Sequence, residues 1–73
     1  MKIEINLKDK HNIVKESDNL VDALEEFNAE EIESVVYTEG NITTFAKPVK
    51  GFRGYTLKVT GKYNNRTGEF EYV

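Results

Sequence analysis

The chain has no cysteine, no tryptophan, one proline and one histidine. Without cysteine there is no disulfide framework, no thiolate zinc site and no cysteine nucleophile. No apolar run approaches the roughly 20 residues that a membrane-spanning helix needs. The opening stretch MKIEINLKDK alternates charged and apolar residues where a signal peptide would carry a continuous apolar segment. These features predict a cytoplasmic chain with no membrane contact. His11 stands among lysines in an expected turn, without a nucleophile or a second metal ligand beside it in sequence. Ser17 and Ser34 lie outside any G-x-S-x-G elbow. Neither a P-loop nor a D-x-[DN]-x-[DN]-G calcium loop is present. The expectation is a non-enzymatic protein that uses no cofactor and no metal.

Positive charge is missing from one long segment. Residues 16–39 hold Glu16, Asp18, Asp22, Glu25, Glu26, Glu30, Glu31, Glu33 and Glu39 with no lysine or arginine, although the 73-residue chain carries a net charge of only −3. The basic residues flank that segment. Lys2, Lys8, Lys10 and Lys15 precede it, and Lys47, Lys50, Arg53, Lys58, Lys62 and Arg66 follow it. Such asymmetry points to interaction rather than to fold.

What is present is enough for one small core. A chain of this size buries only about 60% of the surface its unfolded form exposes. Residues 1–73 are expected to form a single small domain that gains stability from a partner or from a second copy.

Ile3, Ile5 and Leu7 alternate with polar residues, which predicts a half-buried strand over 2–8. DKHN reads as a turn and IVKE, residues 13–16, as a short returning strand. In SDNLVDALEEFN, Ser17 or Asp18 can cap a helix whose Leu20, Val21, Leu24 and Phe27 form one stripe, with Asn28 as its stop. The β-branched run after it predicts a strand over 32–38. Gly40-Asn41 suits a two-residue hairpin turn. That turn sets Val36 opposite Phe45, Thr38 opposite Thr43 and Ile32 opposite Val49, with Val36, Phe45, Ile32 and Val49 on one face. Pro48 marks an edge or a break.

The last 20 residues read as a hairpin with a loop from Asn65 to Gly68, pairing Tyr63 with Phe70, Lys62 with Glu71 and Gly61 with Tyr72. Strict alternation would place Tyr55, Leu57, Val59, Tyr63, Phe70 and Tyr72 on one face. Thr56, Lys58, Thr60, Lys62, Glu69 and Glu71 would take the other. The predicted class is α+β, with one amphipathic helix packed in a second layer on an antiparallel sheet of five to six strands, in ββαββββ order. The apolar face of the last hairpin is expected to bury against Leu20, Leu24 and Phe27.

Two functional readings follow. The first is a protein-interaction module, accessory or inhibitor-like and of the kind carried by phages and mobile elements. It would present Asp18, Asp22, Glu25, Glu26, Glu30 and Glu33 as a negative strip to a basic partner, such as a nucleic-acid-handling protein. A solvated helix face is the plainer explanation of the same residues. The second is nucleic-acid binding through the basic loop and hairpin of residues 47–66, with Lys47, Lys50, Phe52, Arg53, Lys58, Lys62 and Arg66. Gly51-Phe52-Arg53-Gly54 is a G-x-x-G, but it falls between strands, where the backbone-clamping use of that motif needs helices. The unpaired edges of an open sheet add a third expectation, a homodimer through those edges.

Overall fold

The computed structural model describes all 73 residues. The elements are β1 Lys2–Leu7, β2 Asn12–Glu16, α1 Leu20–Leu24, a 3-10 turn Ala29–Glu31, β3 Ile32–Glu39, β4 Ile42–Gly51, β5 Gly54–Asn64 and β6 Phe70–Tyr72. The strands form one six-stranded sheet in the order β2-β1-β3-β4-β5-β6. Every neighbouring pair is antiparallel. The molecule is mostly sheet, with one short helix.

The tight turns follow from local chemistry. Gly40 takes the left-handed conformation, with φ of 61°, that the two-residue β3–β4 turn requires. The hydroxyls of Thr38 and Thr43 then meet across the pair at 3.0 Å. In the β5–β6 loop the Asn64 side-chain oxygen accepts from the backbone N–H groups of Arg66 and Thr67, and Gly68 takes positive φ to close it. The pairs Val36–Phe45 and Thr38–Thr43 form as the Gly40-Asn41 turn dictates. So do Tyr63–Phe70, Lys62–Glu71 and Gly61–Tyr72 in the last hairpin.

Two bulges change which residues share a face. Along β1 and β3 the register passes from Asn6–Ser34 to Leu7–Ile32, so Glu33 has no partner. The extra residue turns Ile32 to the side of Val35 instead of Val36. The predicted Ile32–Val49 pair is not made, because β3–β4 pairing ends at Val35–Ala46 and β4 continues along β5 alone.

The second bulge lies in β5, where Phe45 faces Gly61 and Ala46 faces Val59. Thr60 is the unpaired residue, and its hydroxyl donates to the Phe45 carbonyl at 3.2 Å. Leu57 and Val59 therefore stay on the side of Ala46, Val35 and Ile5. Tyr63, Phe70 and Tyr72 turn to the other side with Phe45 and Val36. The Phe70 ring lies 5.7 Å from that of Phe45 and 4.8 Å from that of Tyr72. The single aromatic face expected from strict alternation is split in two.

The helix also differs from expectation. It spans only five residues. Asn19, not Ser17 or Asp18, caps it by accepting from the N–H groups of Val21 and Asp22 at 2.9 and 3.3 Å. Ser17 instead holds the approach to the cap through hydrogen bonds with the Asn19 backbone. Glu25 and Glu26 follow Leu24, with no basic residue in the last turn. Negative charge at a helix C-terminus opposes the macrodipole, and so short a helix has little propagation energy to resist it. Val21 is 69% exposed, while Ala23 is buried in its place.

The core is correspondingly small. Ile3, Ile5, Ala23, Ile32 and Val35 form it, with Leu7, Leu20, Leu24, Phe27 and Leu57 packed against it. Tyr55 and Phe70, expected inside, are 42% and 45% exposed. Replacing the cap, Asn19→Ala, is expected to lower stability by about 1 kcal/mol, with Asn19→Asp close to neutral. Thermal unfolding measures both, and a larger loss from Asp18→Ala would assign the cap elsewhere.

Candidate binding surfaces

Asp18, Asp22, Glu25, Glu26, Glu30 and Glu33 are all solvent-exposed. They do not form one helical strip. Asp18 precedes the cap, Asp22 lies on α1, Glu25 and Glu26 follow it, Glu30 is in the 3-10 turn, and Glu33 is the bulged residue of β3. Two of them have basic neighbours. Glu26 contacts the Lys15 ammonium, which also stands 5.2 Å from the centre of the Phe27 ring, and Glu33 approaches Lys10 at 4.0 Å. Asp22, Glu25 and Glu26 remain grouped at the end of α1.

Beside that group lies a feature absent from the sequence pattern. Because α1 stops at Leu24, it leaves the end of the β4–β5 hairpin uncovered. Leu20, Val21 and Leu24 on one side and Tyr55 and Leu57 on the other line an open groove of about 420 Å³. It is continuous with a smaller hollow of about 160 Å³ that adds Phe27, Ala29, Ile32 and Pro48. Glu25 borders the groove. Asp22 and Glu26 do not line it, and Glu26 turns instead to Lys15.

The basic residues are dispersed. Lys47 and Lys58 pair across β4–β5 on the side opposite the groove, whereas Lys50, opposite Tyr55, is on the groove side. Lys62 pairs with Thr44 and Glu71. Phe52 and Arg53 form the two-residue turn between Gly51 and Gly54, with Phe52 fully exposed. Arg66 lies in the loop at the far end of β5. That strand's 11 residues span about 35 Å at the usual rise per residue. The seven residues of the nucleic-acid reading are thus not brought to one site.

On the open side of the sheet, Val36, Phe45, Tyr63, Phe70 and Tyr72 make an aromatic surface that strict alternation hides. Gly61 in mid-strand is the local signal for it, since an interior glycine marks a bulge or a close approach.

At the β1–β2 turn the Asp9 carboxylate accepts from the His11 backbone N–H at 3.0 Å and lies 2.9 Å from the ring Nδ1. These two hydrogen bonds hold the Asp9 pKa below the ordinary aspartate value. The pair is exposed and joins no group of three or more residues able to hold a metal ion. No helix is long and apolar enough to cross a membrane. No protein family, no curated protein and no solved structure matches the chain.

Proposed function

We propose that the chain is a non-enzymatic protein-interaction module whose groove between α1 and β5 receives an apolar side chain of a partner segment, with Asp22, Glu25 and Glu26 reading basic residues beside it. The observation that supports this most is an apolar channel left open with the Glu25 carboxylate on its border. Val21, at its lip, is 69% exposed. In this reading α1 and the 3-10 turn form the second layer over β1 and β3, and residues 1–73 work as one unit. A cytoplasmic location without cofactor goes with it. The negative rim raises the rate of encounter with a basic partner, and the apolar anchor sets the lifetime of the complex.

The test begins with affinity capture from the native host and continues with variants of the bait. Val21→Asp and the triple reversal Asp22→Lys, Glu25→Lys and Glu26→Lys are each expected to abolish capture. The fold should survive both, because exposed substitutions seldom change stability by more than about 0.5 kcal/mol each. Wild-type binding should weaken between about 0.1 and 1 M salt, as the Debye length falls from about 10 to 3 Å. A partner retained by both variants and indifferent to salt would rule out the groove and its rim.

A further inference from the structure

We propose that the free end of the β4–β5 hairpin is an arm that enters the major groove of duplex DNA. β3 leaves β4 at Ala46, and β6 pairs with β5 only at Gly61, Lys62 and Tyr63. Residues 47–51 and 54–58 therefore pair with each other and with no third strand. From Lys47 to the turn residue Phe52 this two-stranded ribbon runs about 17 Å at the usual rise per residue. Its charge has one sign. Lys47, Lys50, Arg53 and Lys58 are all exposed, and no Asp or Glu occurs between residues 40 and 68. The ion pairs of the molecule all lie elsewhere. Lys47 and Lys58 stand directly opposite each other, an arrangement that costs stability unless an anion lies between the two ammonium groups. Phe52, at the tip, is fully exposed and takes no part in the core.

Shape and charge agree on the ligand. A two-stranded ribbon with its side chains is about 10 Å thick, and the major groove of B-form DNA, about 12 Å wide, admits one. The major groove of A-form RNA is too narrow. The cations stand on both faces of the ribbon, Lys50 on the side of Tyr55 and Lys47 with Lys58 on the other. Each phosphate wall then meets ammonium groups, while Phe52 and Arg53 reach the base edges, where a ring packs on thymine methyls and a guanidinium on guanine. An anionic membrane suits the arm less well. With Phe52 at the bilayer surface, Lys47 stands about 17 Å behind it, twice the Debye length of about 8 Å. The net charge of −3 comes from acids outside the arm, of which Glu25 borders the groove at Tyr55 and Leu57; it lowers the affinity without moving the site.

Fluorescence anisotropy of a labelled DNA duplex, titrated with the intact chain at several salt concentrations, tests the arm. Wild type is expected to bind with Kd between about 1 and 100 μM at physiological salt, with a slope of log K against log salt of about −3.6 for four phosphate contacts. Lys47→Gln with Lys58→Gln should weaken binding about 10-fold and bring the slope to about −1.8. Phe52→Ala should also weaken it about 10-fold, with the slope unchanged, because the lost contact is apolar. Lys8→Gln with Arg66→Gln removes the same charge away from the arm and should change neither quantity. Val21→Asp should change neither as well, which separates the arm from the groove. All of these positions are exposed, so each variant should fold. No binding at millimolar protein in low salt, an equal loss from the Lys8 and Arg66 pair, an unchanged slope without Lys47 and Lys58, or wild-type binding by Phe52→Ala would overturn the proposal. So would tighter binding to phosphatidylserine vesicles or to oligothymidylate than to the duplex.

Discussion

Replacing Ile5 with alanine is expected to unfold much of the protein at room temperature. Ile5 has no exposed surface. It sits between Ile13 on β2 and Val35 on β3 and shares the core cluster with Ala23. Such a substitution costs about 2–5 kcal/mol, comparable to the whole stability of a domain this small. Ile5→Val should cost about 0.5–1.5 kcal/mol and remain folded. Leu57→Ala is a sharper comparison, because strict alternation makes Leu57 a central core residue, whereas in the structure it is half-buried on a groove wall. Its loss is expected near 1 kcal/mol, with Lys58→Ala close to silent. Urea denaturation of the four variants measures these differences. Equal losses at Ile5 and Leu57 would place the hydrophobic weight under β5 and remove the groove.

Gly61→Ala is expected to have the next largest effect, for a reason unrelated to backbone conformation. A Cβ at Gly61 would fall 2.5 Å from Cζ of Phe70 and 3.0 Å from its Cε1. The ring is flanked by Phe45 and Tyr72, so it can relieve the clash only by turning outward, away from both. Overpacking of this kind costs about 1–3 kcal/mol and should release the three-residue β6. The diagnostic is a double-mutant cycle with Phe70→Ala. Once the ring is gone, the nearest remaining atom is the Glu71 carbonyl oxygen at 3.4 Å, an ordinary contact, so Gly61→Ala should cost little in that background. Strictly additive losses would mean that Phe70 does not lie over Gly61.

The hairpins were legible in the sequence because two-residue and short asparagine-containing turns fix register locally. Gly40-Asn41 and the Asn65–Gly68 loop determine their pairs whatever happens elsewhere in the sheet. Bulges are different. Glu33 and Thr60 each insert one residue, and with a side-chain period of two that is enough to move everything beyond them to the other face. Nothing in the composition of Lys58-Val59-Thr60 announces this, and only Gly61 hints at it. The helix was overextended for a related reason. Leu20, Leu24 and Phe27 have helical spacing, yet the chain leaves the helix at Glu25 and still brings Phe27 to the core through a turn whose N–H donates to the Leu24 carbonyl at 3.1 Å. Exposure of the acidic residues could be read from their type. The groove beside them could not, since it exists only because α1 ends before it covers Tyr55.

The groove depends on the Thr60 bulge, which keeps Leu57 on its wall and sends Phe70 to the open face. Nuclear Overhauser contacts among assigned side chains test that split most directly. Cross-peaks are expected between the rings of Phe70 and Phe45 and between those of Phe70 and Tyr72, with the Leu57 methyls seeing Leu24 and not Phe70. Cross-peaks from the methyls of Leu57 or Val59 to the ring of Phe70 or Tyr72 would put all the aromatics on one side, closing the groove and abolishing the open face together.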